Sequence, residues 1–142
     1  MTANDTAQAP SYTLTRELEA PVAAVWDAWT EREHFVEWFG VIPETVELDV
    51  RPGGSWSSTI VTPVGDFPMS GGYAEVVPRR RLVTTMNVGR PEPAVMEMDL
   101  TPLGEGRTRI VLSQECDSEE ERDQAREGST MLLDALTAYL AR

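Results

Sequence analysis

The stretch Ser118 to Leu140, SEEERDQAREGSTMLLDALTAYL, decides how the chain folds, because it is the only long helical pattern in the sequence. Ser118 with Glu121 three residues on predicts a capping box, the serine oxygen accepting from an early backbone N–H while the glutamate reaches back. The acidic first turn suits the positive end of the helix dipole. At about 3.6 residues per turn, Ala125, Gly128, Ser129, Leu132, Leu133, Leu136, Tyr139 and Leu140 form one stripe, with Glu127, Asp134 and Thr137 largely off it. The stripe tapers from small to large. A helix of that kind seals one end of a core and leaves room at the other.

The rest of the chain supplies the surface for that helix to cover. Residues 11 to 19 carry Tyr12, Leu14 and Leu18 in rough alternation, which predicts a strand with one wet face. Ala20-Pro21 ends it, and Pro21 opens a short helix with Val22, Val25, Trp26 and Trp29 at helical spacing. Thr30 to Glu33 reads as a second capping box, opening a helix that carries Phe35, Trp38 and Phe39 before Gly40 stops it. Strand signals follow at Thr45 to Val50, Ser55 to Thr62, Met69 to Val77, Leu82 to Val88, Val95 to Leu100 and Arg107 to Cys116. Short separators such as Arg51-Pro52-Gly53-Gly54 leave no room for parallel crossovers, so these strands form an antiparallel meander. The terminal helix is the one element long enough to cover its dry face.

The totals bound what such a domain does. A chain of 142 residues, 41% hydrophobic and 25% charged, is the size and composition of one folded domain. Its net charge is −12 and all twelve basic residues are arginines, a field that repels nucleic acid. The one basic cluster, Arg79-Arg80-Arg81, reads as a solvated turn between strands. Cys116 stands alone, so neither an internal disulfide nor a cysteine-rich zinc site forms, which suits a reducing cytoplasm. Residues 1–10 are polar, without signal-peptide character, and no run approaches membrane-spanning length. The expectation is a cytoplasmic single domain over residues 11–142 behind a flexible tail of residues 1–10, with no nucleic-acid partner and no membrane insertion.

Several local patterns, in this order along the chain, resemble a known family. They are Ala20-Pro21 with Val25-Trp26-Asp27-Ala28-Trp29-Thr30, then Trp38-Phe39, then Asp49-Val50-Arg51-Pro52-Gly53-Gly54, Gly72 to Pro78 leading into Arg81-Leu82-Val83, and Gly106-Arg107-Thr108-Arg109. Together they look like the START-like (SRPBCC) superfamily, in the branch named for the activator of the heat-shock-protein-90 ATPase. The resemblance implies an α+β helix-grip fold: a seven-stranded curved antiparallel sheet wrapped around the C-terminal helix, two short helices after the first strand, and a cavity between sheet and helix. It also implies a preference for apolar small molecules. Members of this branch often carry a tryptophan straight after the glycine of the last helix; here Ser129 takes that place, which implies a roomier mouth.

Alternate strand residues share a face, and the more apolar set of each strand is the one expected to face the helix. That set includes Trp56, Ser58 and Ile60, then Met69, Gly71, Tyr73 and Val77, then Leu82, Thr84, Met86 and Val88, then Met96, Met98 and Leu100, and finally Ile110, Leu112 and Gln114. Met69, Met86, Met96, Met98 and Met131 are flexible and polarizable and suit an adaptable ligand surface, although methionine also fills ordinary cores. Ser58, Thr84 and Gln114 favour a cavity, since a dry core would have to supply each with a partner. The expected ligand-binding set is Trp38, Phe39, Trp56, Met69, Tyr73, Thr84, Met86, Met96, Met98, Gly128, Ser129 and Leu132. His34, the only histidine, reads as a surface residue among Glu31, Glu33 and Glu37, and Cys116 as a small buried hydrophobe, so the hydrolase and zinc constellations have no material.

Three functions follow. The first is a binding protein holding an apolar or amphipathic ligand between sheet and helix, without a cofactor or metal. The second is a cyclase, dehydratase or hydrolase using a cavity carboxylate, Glu75 or Glu115, as general base with its pKa raised by burial. The third, implied by the resemblance, is a chaperone-linked stress-response activator. A second copy of the chain, in a homodimer, is the one macromolecular partner expected besides.

Overall fold

The computed structural model describes residues 10–89 and 91–142. The flexible tail expected over residues 1–10 lies outside the described residues, Pro10 excepted. Strand β1 (Ser11–Leu18) leads into helices α1 (Val22–Thr30) and α2 (Arg32–Trp38). Strands β2 (Glu47–Leu48), β3 (Ser55–Thr62), β4 (Gly65–Val77), β5 (Arg81–Met86), β6 (Ala94–Gly104) and β7 (Arg107–Glu115) follow, and helix α3 (Glu119–Leu140) closes the chain. All seven strands join one antiparallel sheet in the order β1-β7-β6-β5-β4-β3-β2. This is the α+β helix-grip arrangement, with the meander's last strand returning beside the first.

Helix α3 begins as its sequence dictates: the Glu121 backbone N–H donates to Ser118 Oγ at 3.1 Å. The helix runs mainly against β1 and β7 and against α1 and α2. Its C-terminal half is packed solid. Leu133 and Leu136 are 1% and 0% exposed and share a core with Val25, Leu82, Met98, Leu100, Ile110 and Leu112. A smaller cluster, Phe35, Val41 and Val46, fills the space around α2.

Two local expectations fail, each for a stated reason. Thr30 and Glu33 form no capping box, because Glu31 is the N-cap of α2 and makes no side-chain bond there. The Thr30 hydroxyl donates instead to the Trp26 carbonyl at 2.7 Å, so the last turn of α1 has taken the group that would have capped α2. The strand expected over Thr45 to Val50 shrinks to Glu47–Leu48, because a 3-10 turn at Pro43–Thr45 occupies its start. The turn before β3 does behave as read. Gly53 has φ +84, and a Cβ on Gly54 would sit 2.0 Å from the Asp49 carbonyl oxygen, so both positions require glycine.

The outer face of the sheet is held by charge. Arg81 donates to Glu75, Glu97 and Asp99 at 3.0, 2.9 and 2.9 Å, and these acceptors, Glu97 foremost, hold its guanidinium all the more firmly protonated. Arg79 and Arg80 lie exposed in the β4–β5 turn as expected, while Arg81 belongs to this ion cluster. Arg107 pairs with Glu17 and Glu19 across β7 and β1.

Candidate functional site

Register assembles the inner face. Tyr12, Gln114, Met96, Thr84 and Tyr73 stand side by side across β1, β7, β6, β5 and β4, and the neighbouring row is Leu14, Leu112, Met98, Leu82 and Val76. The Tyr12 hydroxyl reaches Ser129 Oγ at 2.7 Å, which fixes this side of the sheet as the one facing α3. It is the face expected from the sequence with two corrections. Val88, expected on it, lies past the end of β5 and is 38% exposed. A register shift between Tyr73 and Glu75 inserts Ala74 as an extra residue, so Val76 turns inward and Val77 is 41% exposed. A bulge inverts every alternation that follows it.

The inner face is unevenly packed. Beside the sealed core of Leu112, Leu133 and Leu136, the residues Trp56, Met69, Thr84, Met86, Met96 and Gln114 are only half-buried. On α3, the turn around Ser129 carries a half-buried Ala125 and an exposed Gly128, and a Cβ built on Gly128 would meet nothing within 4 Å. Trp56 donates from Nε1 to the Thr85 carbonyl at 3.0 Å. Its indole lies across Gly71, where a Cβ would come within 2.8 Å of that nitrogen and 1.8 Å of the Thr85 oxygen. Glycine at 71 is what lets the ring reach over β4 to β5.

Four residues of the expected ligand-binding set are buried, among them Ser129, which was expected to border open space and is 6% exposed and bonded to Tyr12. Trp38 is 6% exposed, donates from Nε1 to the Ala28 carbonyl at 2.9 Å and stands edge-on to Trp29, so it ties α1 to α2. Met98 is 3% exposed between Leu82 and Leu112. Tyr73 is buried too, and burial, helped by the Asp49 charge, pushes its hydroxyl well above the ordinary tyrosine value. Phe39, stacked on Phe35 at 4.2 Å, and Leu132 are half-buried against the core. Met131 is 66% exposed and off the site altogether.

The cavity-carboxylate reading is corrected. Glu75 and Glu115 both lie exposed on the outer face, and Glu75 is bound to Arg81 at 3.0 Å. A general base acting inside the grip has to be inside it, and neither is. His34 is likewise not a free surface group: its Nδ1 is 2.7 Å from the Tyr139 hydroxyl, joining α2 to the end of α3. Cys116 is buried, as expected. Among the described residues no group of three or more His, Cys, Asp or Glu is placed to hold a metal, and no helix is long and apolar enough to cross a membrane.

What sequence reasoning missed is Tyr12. Its hydroxyl donates to Gln114 Oε1 at 2.9 Å while meeting Ser129 Oγ at 2.7 Å, so one buried group links β1, β7 and α3. Burial raises its pKa above the ordinary value, and the Ser129 hydrogen bond opposes that shift. The signal was present: a serine inside an apolar helix stripe needs a partner, and Tyr12 lies on the same face of the alternation. Two open clefts adjoin this surface, about 500 Å³ by Tyr12, Gln114, Thr13, Glu92, Val95 and Glu97 and about 460 Å³ by Trp56, Gly71, Glu47, Ser57, Ser70 and Asn87, and no residue of α3 lines either.

A curved antiparallel sheet gripping one long helix, sealed at one end and loosely filled at the other, defines the helix-grip, START-like class. The chain belongs to the family described as activator of Hsp90 ATPase homolog 1-like protein, which matches residues 19–141. Among solved structures it is similar to a protein from Nitrosomonas europaea at 28% identity and TM-score 0.77, covering 92% of this chain and 94% of that one. It is also similar to CalU16 from Micromonospora echinospora at 26% identity and TM-score 0.77, covering 93% and 76%. A protein from Rhizobium leguminosarum matches at 26% identity and TM-score 0.73, covering 95% and 97%. No curated protein matches the chain.

Proposed function

We propose that this protein binds a small, largely apolar molecule against the inner face of the sheet, beneath the N-terminal half of α3. The observation that carries the reading is the uneven packing of that helix. Leu133 and Leu136 are sealed, while the turn before them has only a half-buried Ala125 and a solvent-exposed Gly128, and Met86, Met96, Thr84 and Trp56 keep accessible surface. Methionines and a flat indole, with a few hydroxyls, make a surface that adapts to an irregular apolar shape. Membership of a START-like family supports the same reading. The enzyme reading lacks its carboxylate, and the net charge of −12 favours a neutral ligand over an anionic one. The lone buried cysteine fits work in the cytoplasm.

Titration with Nile red, a neutral apolar dye, tests this. Saturable binding to the wild-type domain, weakened about tenfold or more by Gly128→Trp without loss of the folded circular-dichroism spectrum, is the expected outcome. Equal dye binding by both proteins would put the ligand elsewhere.

A further inference from the structure

We infer that Gln114 is the specificity-determining residue of this site and that the ligand presents it with a neutral hydrogen-bond acceptor, a carbonyl oxygen. The inference rests on the binding reading above and adds the polar half of the ligand. Tyr12 has one proton to give, and its geometry directs that proton to Gln114 Oε1 at 2.9 Å. The 2.7 Å contact with Ser129 Oγ must then be a donation from the serine to the tyrosine oxygen. Ser129 is free to make it, since its hydroxyl has no bond to the preceding turn such as Thr130 and Thr137 make to Arg126 and Leu133. The result is a chain of donors running from Ser129 through Tyr12 to Gln114, in which each bond polarises the next.

That chain fixes the amide. With Oε1 held by Tyr12, Gln114 cannot turn its carbonyl to a ligand, and its two Nε2 hydrogens are what remain. Those hydrogens have no partner among the described residues, and the half-buried side chain stands in the row with Met96 and Thr84 at the edge of the open cleft by Glu92 and Glu97, so a ligand can reach it. A donor left open among half-buried methionines selects an acceptor, because a purely apolar ligand covering it would leave it unpaired. A carboxylate is also an acceptor, but a domain of net charge −12 disfavours an anion, so a ketone, ester or amide oxygen fits best.

The test uses two matched probes, acetylnaphthalene and isopropenylnaphthalene, in which a methylene replaces the ketone oxygen. Binding is followed by calorimetry on the full chain. The wild-type protein is expected to prefer the ketone by about fivefold to tenfold, the worth of one satisfied hydrogen bond. The ratio should fall towards one in Gln114→Met, and also in Gln114→Glu, whose carboxylate still accepts from Tyr12 but has no N–H to offer; the second variant keeps the test alive where the first fails to fold. Equal wild-type affinities for both probes, or a preference that survives both substitutions, would overturn the role of Gln114 while leaving the apolar site standing. Failure of both probes to bind the wild-type protein would overturn the site and this inference together.

Discussion

The hydroxyl of Tyr12 carries a disproportionate share of the architecture, because one atom on β1 satisfies groups on a second strand and a helix. Tyr12→Phe leaves Gln114 Oε1 and Ser129 Oγ without their partner, and urea unfolding should show a loss of about 1–3 kcal/mol. Ser129→Ala alone should cost less, and its effect should largely vanish in the Tyr12→Phe background, since a shared bond cannot be lost twice. The same residues set an alkaline limit. Tyr12 and Tyr73 both have their pKa raised in the folded state, chiefly by burial, above the ordinary 10.0. Their contribution is therefore complete below pH 10.0 and is lost as pH climbs through the raised folded values. Urea midpoints measured between pH 8 and pH 11 should fall towards the alkaline end, and the fall should be shallower in Tyr73→Phe; a midpoint independent of pH would refute the burial argument. At this scale the sequence was least legible. Glu75 sits in a strand whichever way it faces, and only the Ala74 bulge and the Arg81 cluster decide that it points outward.

The terminal helix was legible because its signals are local. Ser118 caps it and the stripe from Ala125 to Leu140 has a helical period, so start, length and buried face could all be read from the sequence. Its taper predicts opposite responses at its two ends. Leu136→Ala, at a fully buried site, should destabilise by about 2–5 kcal/mol. Gly128→Ala should stabilise by about 0.5–1 kcal/mol, since the new methyl meets nothing and the helix loses a flexible residue. Thermal melting of the two variants checks both signs, and a destabilised Gly128→Ala would mean that the space beside it is filled. The elements read less well are those where two local preferences compete for one group. Thr30 ends α1 in helical backbone geometry with its hydroxyl turned back to the Trp26 carbonyl, so the N-cap position of α2 falls to Glu31.

Across the whole molecule, the order of elements and the strand alternation were enough to give the sheet, its antiparallel pairing and, apart from Val77 and Val88, the side that faces the helix. They were not enough to separate core from lining, because Met98 and Met96 are alike in sequence and differ in burial, Met98 being sealed and Met96 half-buried. The outer face follows a different logic. Arg81 stands among three carboxylates in a protein already strongly acidic. Arg81→Gln should therefore cost up to ~1 kcal/mol at low salt and less at high salt, as expected of half-exposed ion pairs. The central claim concerns the inner face, and the methionines report on it directly. With methyl-labelled methionine, a titration of acetylnaphthalene followed by NMR should move the Met86 and Met96 resonances saturably and leave Met131, on the outward side of α3, in place. Shifts confined to Met131, or none at any methionine while the probe binds, would contradict a ligand seated beneath the helix.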